Sequence, residues 1–142
     1  MNYFKEAEEV LRRLPKLEKA LEMLYKQKEH TEKKNSPKGF KDKSIGEGRG
    51  SAMKKETLDE LCEYSQCLER ISATEFEINR IKDILSQLTD EQRTLLKLWY
   101  IENKNKELVK SSLNISSLST LYDLRNRSVS DFALYYFGAK AV

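Results

Sequence analysis

In 142 residues the chain has two cysteines, one histidine, two prolines and five glycines. Each scarcity excludes something. Cys62 and Cys67 lie five residues apart, which on a helix turns them roughly 140° from one another, so no disulfide scaffold is expected. With His30 as the lone histidine there is no metal-ligand set. Few glycines and prolines argue against a sheet protein with its frequent turns. No apolar run approaches the ~20 residues that span a bilayer, and "MNYFKEAEEV" lacks a signal-peptide core. The expectation is a cytoplasmic chain without a membrane partner. A nucleophile–base pair, a phosphate-binding glycine loop and a metal cluster are all missing, so an enzyme and a cofactor are not expected.

What is abundant is charge: 35% of residues are charged and 39% hydrophobic. With plentiful Leu, Glu and Lys, this predicts an all-α protein. The net charge of +3 is too small to identify a partner, and its distribution says more. Residues 1–32 carry seven basic and seven acidic groups, 33–55 eight and two, 56–88 three and eight, and 89–142 eight and six.

Four segments follow from this pattern. Over 1–32, Phe4, Ala7, Val10, Leu11, Leu14, Leu17, Leu21, Leu24 and Tyr25 form one apolar stripe of a helix. Pro15 inside it removes an amide donor, which predicts a kink or a break. Residues 33–55 hold four of the five glycines and no periodicity, and read as a basic loop or linker. Its Lys38, Lys41, Lys43 and Arg49 are candidate accessory phosphate contacts; a solvated loop is the more common explanation of such residues. Over 56–88 the stripe returns with Leu58, Leu61, Tyr64, Leu68, Ile71, Ile78, Ile81, Leu85 and Leu88. Tyr64, Ile71, Ile78 and Leu85 repeat every seven residues, as in a coiled-coil seam. The two long helices predict an antiparallel hairpin, and the same stripes could make a homodimer seam. The acidic face of 56–88 is either a binding surface or a solvated one.

Residues 89–142 change character. Thr89 and Gln92 form a capping box for "LTDEQRTLLKLWYIEN", with Asp90 and Glu91 at the favourable end of the helix dipole. "KELVKSSL" predicts a short helix. Asn114 can take the left-handed conformation that ends it, and Ser116 or Ser117 can cap the next helix, which runs to Phe137 with Gly138 as terminator. This is the order of a DNA-reading helix-turn-helix. Projection at about 100° per residue places Leu118, Leu121, Tyr122, Val129, Phe132 and Tyr136 on one side. Ser119, Thr120, Asp123, Asn126, Arg127 and Ser130 fall opposite. Ser117, Ser119, Thr120, Asp123, Asn126 and Arg127 are therefore candidate DNA contacts. Arg125 projects into the apolar side, either to a flanking phosphate or to an ion pair with Glu91, Glu102 or Glu107. Trp99, Tyr135, Tyr136 and Phe137 read as core.

Residues 88–138 resemble the fourth conserved region of sigma factors. They are similar in particular to small phage-type transcriptional regulators of Gram-positive bacteria, the ArpU and RinA late-transcription activators. Leu88, Glu91, Gln92, Arg93, Leu96 and Tyr100 carry the first part of that pattern. Glu107, Leu108, Val109, Leu113, Ile115 and Ser116 carry the second, and Thr120, Leu121, Tyr122, Leu124, Arg125, Arg127 and Phe132 the third. Ser128 stands where alanine is usual, and Asp123 where a basic or neutral residue is common. The resemblance implies a DNA-binding transcription activator in a bacterial cell, with double-stranded DNA and RNA polymerase as partners. Two other readings stand beside it: a phage-type small DNA-packaging (terminase-like) subunit, and a coiled-coil adaptor for other proteins.

Overall fold

The computed structural model describes residues 2–34 and 55–141. The protein is all-α, with five α-helices and no strand among the described residues. Helix α1 spans Tyr3–Lys34, α2 Lys55–Gln87, α3 Asp90–Leu96, α4 Lys106–Ser112 and α5 Leu118–Phe137. A π-helical turn, Lys97–Ile101, continues α3, and a 3₁₀ turn, Gly138–Ala141, follows α5. No described helix is long and apolar enough to cross a membrane.

The chain divides into two compact units, and their limits cut across the segment boundaries drawn from composition. One unit joins Met1–Glu18 to Glu77–Val142; the other is Lys19–Phe76. The first half of α1 and the last third of α2 thus belong with the C-terminal helices.

Within Lys19–Phe76, α1 and α2 pair antiparallel. The Tyr25 hydroxyl donates to Glu75 and the Tyr64 hydroxyl to Glu32, each at 3.0 Å. The Cys67 thiol donates to the Leu24 carbonyl at 3.4 Å. Both cysteines are free, and Cys67 is fully buried while Cys62 is exposed. The seam runs through Tyr64, Cys67 and Ile71, three- and four-residue steps that keep one face toward the partner helix. Leu58, Leu61 and Leu68, expected on that stripe, are exposed instead. Leu68 follows Cys67 by one residue, about 100° around the axis, so a seam that buries Cys67 turns Leu68 out.

In the other unit the core is built from Leu11, Ile81, Leu95, Leu96, Val109, Leu121, Val129 and Phe132, all fully buried. Helix α1 passes unbroken through Pro15, which corrects the expected break. Pro15 is exposed, so its missing amide sits on the solvent side of the helix, where the freed carbonyl can bond water. Arg93 closes the end of α2: its guanidinium donates to the carbonyls of Leu85 and Leu88 at 3.0 Å and pairs with Asp90 at 2.8 Å. The Leu85 carbonyl, in the last turn of α2, also accepts from the Leu88 amide at 3.2 Å, and Leu88 lies just past the helix. A cation there adds donors for carbonyls at the helix end and answers the dipole. The capping box forms as expected, with Thr89 and Gln92 bonded reciprocally at 3.2 Å. Gln92 also donates to Asp131 at 2.8 Å, tying α3 to α5.

Candidate nucleic-acid interface

Helix α4 begins at Asn105, whose side chain accepts from the Leu108 amide at 2.8 Å. Beyond its C-cap, Leu113, the chain turns at Asn114, with φ 56°. The Asn114 amide bonds to the Ser111 carbonyl at 3.2 Å, and the Ile115 amide to the Lys110 carbonyl at 3.0 Å. These are the paired bonds that satisfy the orphan carbonyls of a helix end and turn the chain sharply. Asparagine tolerates the left-handed region because its side chain is short and polar. Ser117 then caps α5: its hydroxyl accepts from the Thr120 amide at 3.2 Å and donates to the Thr120 hydroxyl at 2.8 Å. The result is a short helix, a tight connection over 113–117 and a longer helix ended by Gly138 at φ 78°.

Helix α5 has two flanks. Leu121, Leu124, Ser128, Val129, Phe132 and Ala133 are buried. The Ser128 hydroxyl has no room to reach out and donates to the Leu124 carbonyl at 2.7 Å. Ser119, Thr120, Asp123, Asn126, Arg127 and Ser130 are exposed, and Ser117 is half-buried. Leu118, projected inward, is exposed as well. The exposed flank is a strip of hydroxyls, one amide, one guanidinium and one carboxylate. Lys106 lies at its edge, over the Tyr122 ring at 5.1 Å. Lys110 pairs with Glu107 at 3.5 Å. Side chains of this kind can contact phosphates and base edges, while short serines near the start let the backbone approach.

Arg125 does not join this strip. Its guanidinium faces Glu8 at 3.4 Å and the Tyr100 hydroxyl at 3.4 Å, and none of Glu91, Glu102 or Glu107 is its partner. It stands 5.2–5.6 Å from the ring centres of Trp99, Tyr122 and Phe4. Its Nε is buried without a hydrogen bond. Tyr100 donates to Glu8 at 2.6 Å. Burial, and then that bond, push the Tyr100 phenol up to about 12. Trp99 and Tyr100 are neighbours in the π-helical turn, and both meet the same guanidinium. Sequence reading missed Glu8, yet Phe4, Glu8 and Leu11 share one helix face, and a carboxylate among apolar neighbours is a sign of a buried cation.

The far end of α5 is held to α2. Arg80 lies 3.9 Å from the Tyr136 ring centre and donates to the Tyr136 carbonyl at 2.8 Å. Tyr136 also donates to Glu77. Phe137 packs on Tyr3 at 5.1 Å. Helix α5 is thereby fixed at both its middle and its end, with its polar flank left outside. Lys38, Lys41, Lys43 and Arg49 lie outside the described residues. No protein-family model, curated protein or solved structure matches the chain.

Proposed function

We propose that the protein is a sequence-specific DNA-binding transcriptional regulator that lays the polar flank of α5 into a major groove. The observation that carries this reading is the flank itself. Ser119, Thr120, Asp123, Asn126, Arg127 and Ser130 are all exposed, on a helix anchored by Arg125 behind it and by Arg80 at its end. A rigid, preorganised helix loses little freedom on docking, so its contacts translate into affinity. Arg127 and Asn126 supply the guanidinium and amide chemistry that reads guanine and adenine edges or holds phosphates. The short helix and tight connection before α5 have the order found in helix-turn-helix readers.

The likeness of residues 88–138 to sigma region four and to phage-type late activators supports a narrower reading. On that reading the protein activates transcription beside RNA polymerase in a bacterial cell, and it acts by binding and not by catalysis. The test is capture of fragments from bacterial or phage DNA by the purified chain, followed by titration of the recovered site. Enrichment of one sequence, lost in Arg127→Ala, supports the proposal. Recovery with no preferred sequence, or no duplex binding at low salt, overturns it.

A further inference from the structure

The second compact unit carries surface that a charged helical hairpin does not need. On α2, Leu58 is 52% exposed, Leu61 36%, Leu68 39% and Phe76 70%. They fall along one line of the helix, about 120° from the seam that packs on α1. Between them lie Ser65 and Ser72, both exposed. The stripe has heptad form of its own: Leu58, Ser65 and Ser72 repeat every seven residues, and Leu61 and Leu68 repeat three residues later. We propose that this stripe is the seam of a homodimer in which α2 of one chain packs antiparallel on α2 of a second copy.

The pattern favours a second copy because it is its own complement. In an antiparallel pair with a two-fold axis between residues 66 and 67, Leu61 faces the other copy's Ser72, and Leu68 faces its Ser65. At the centre of the seam each leucine meets a serine, so the helices approach closely there and interlock. Farther out, Leu58 lies opposite Glu75 and Phe76 opposite Thr57. The charges agree. Helix α2 is strongly acidic, yet Asp59, Glu60 and Glu63 project away from the stripe. The two carboxylates at its borders face uncharged groups, Glu69 the partner's Tyr64 and Glu75, which accepts from Tyr25, the partner's Leu58. Like charges therefore do not meet along the seam, as an isologous interface requires. The size sets the strength. Leu58 to Phe76 covers about 27 Å of helix, one helix wide, which offers on the order of a few hundred Å² per copy. Stable complexes bury about 1,200 Å² or more in total, so this dimer is a weak one, formed at micromolar concentration and above. The inference does not depend on DNA binding and is tested without DNA.

The test is sedimentation equilibrium of the full chain from about 1 µM to 500 µM, a range that brackets association of this strength. The expected result is a reversible monomer–dimer equilibrium. Leu68→Glu and, separately, Phe76→Lys should each weaken it at least tenfold while helical content by circular dichroism stays the same. Glu63→Gln, on the opposite side of α2, should leave it unchanged. A parent that stays monomeric throughout overturns the proposal, as does a dimer indifferent to both stripe substitutions. A spin label at position 59, introduced as Asp59→Cys in a Cys62→Ser background, reads the orientation. The antiparallel register separates the two labels by about 22 Å along the axis. Labels side by side mean a parallel pair and overturn the register.

Discussion

Arg125 on α5 and Glu8 on α1 meet at 3.4 Å although 117 residues separate them in the chain. With Tyr100 between them and three aromatic rings around the guanidinium, the pair joins the first helix to the helix that carries the candidate interface. The side chains are 21% and 14% exposed, so the charges are weakly screened and depend on each other. Removing one leaves the other poorly solvated.

Arg125→Ala should therefore lower stability by about 2–3 kcal/mol, from a broken, largely buried pair and lost cation–π contacts. Arg125→Met, which keeps an unbranched stem between the rings, should cost less. Urea denaturation followed by circular dichroism measures both. Equal losses for the two variants would mean that packing of the stem contributes little.

Arg127→Ala should behave in the opposite way. Its side chain is exposed and makes no bond to a described residue, so stability should stay within about 0.5 kcal/mol of the parent. Duplex binding should weaken by about 1–3 kcal/mol if Arg127 reads a base, or lose about one unit of salt slope if it holds a phosphate. Asp123→Asn removes the one carboxylate among the six exposed residues of the strip and should tighten binding about threefold at low salt, less at high salt. Fluorescence anisotropy at two salt concentrations separates these effects.

The capping residues can be tested without any ligand. Ser117→Ala removes the acceptor of the Thr120 amide and should cost about 1 kcal/mol. Asn114→Gly should be neutral or stabilising, and Asn114→Ala should cost about 1 kcal/mol, because alanine is strained at φ 56° and glycine is not. Thermal melts give the order; a stable Asn114→Ala variant would mean that the turn can relax.

Alkaline pH should loosen the Tyr100 cluster. The phenol ordinarily titrates at 10.0 and is raised to about 12 in the fold, chiefly by burial and then by its bond to Glu8. Between those values the unfolded chain has released the proton and the folded chain has kept it. Stability tied to this group is thus complete below pH 10 and lost as pH rises through 12. Tyr25, Tyr64 and Tyr136 shift in the same direction. Tyr100→Phe should flatten the loss of stability over this range, as read by urea midpoints at successive pH values.

Neutralising Lys38, Lys41, Lys43 and Arg49 together should reduce the salt dependence of DNA binding, by up to about 0.9 in slope for each phosphate contact removed. An unchanged slope would assign these residues to a linker.

Much of the local structure was legible in the residues alone. The capping box at Thr89, the left-handed Asn114, the Ser117 cap and the Gly138 terminator involve neighbours a few positions apart, and short-range chemistry decides them. The two flanks of α5 followed from a repeat of 3.6 residues, although Leu118 turned outward. The seam between α1 and α2 was legible only in part: a sevenfold repeat found Ile71, and it took the partner helix to show that Cys67 and not Leu68 lies against it.

The sequence by itself determined that this chain is helical, where most of its helices start and stop, and which side of α5 is polar, because those outcomes rest on interactions within a few turns. Tertiary structure alone decided that Arg125 answers to Glu8, that Arg93 closes α2, and that the ends of the long helices belong to the C-terminal unit. Those pairings join groups far apart along the chain, and a periodic pattern says that a face is buried without saying against what.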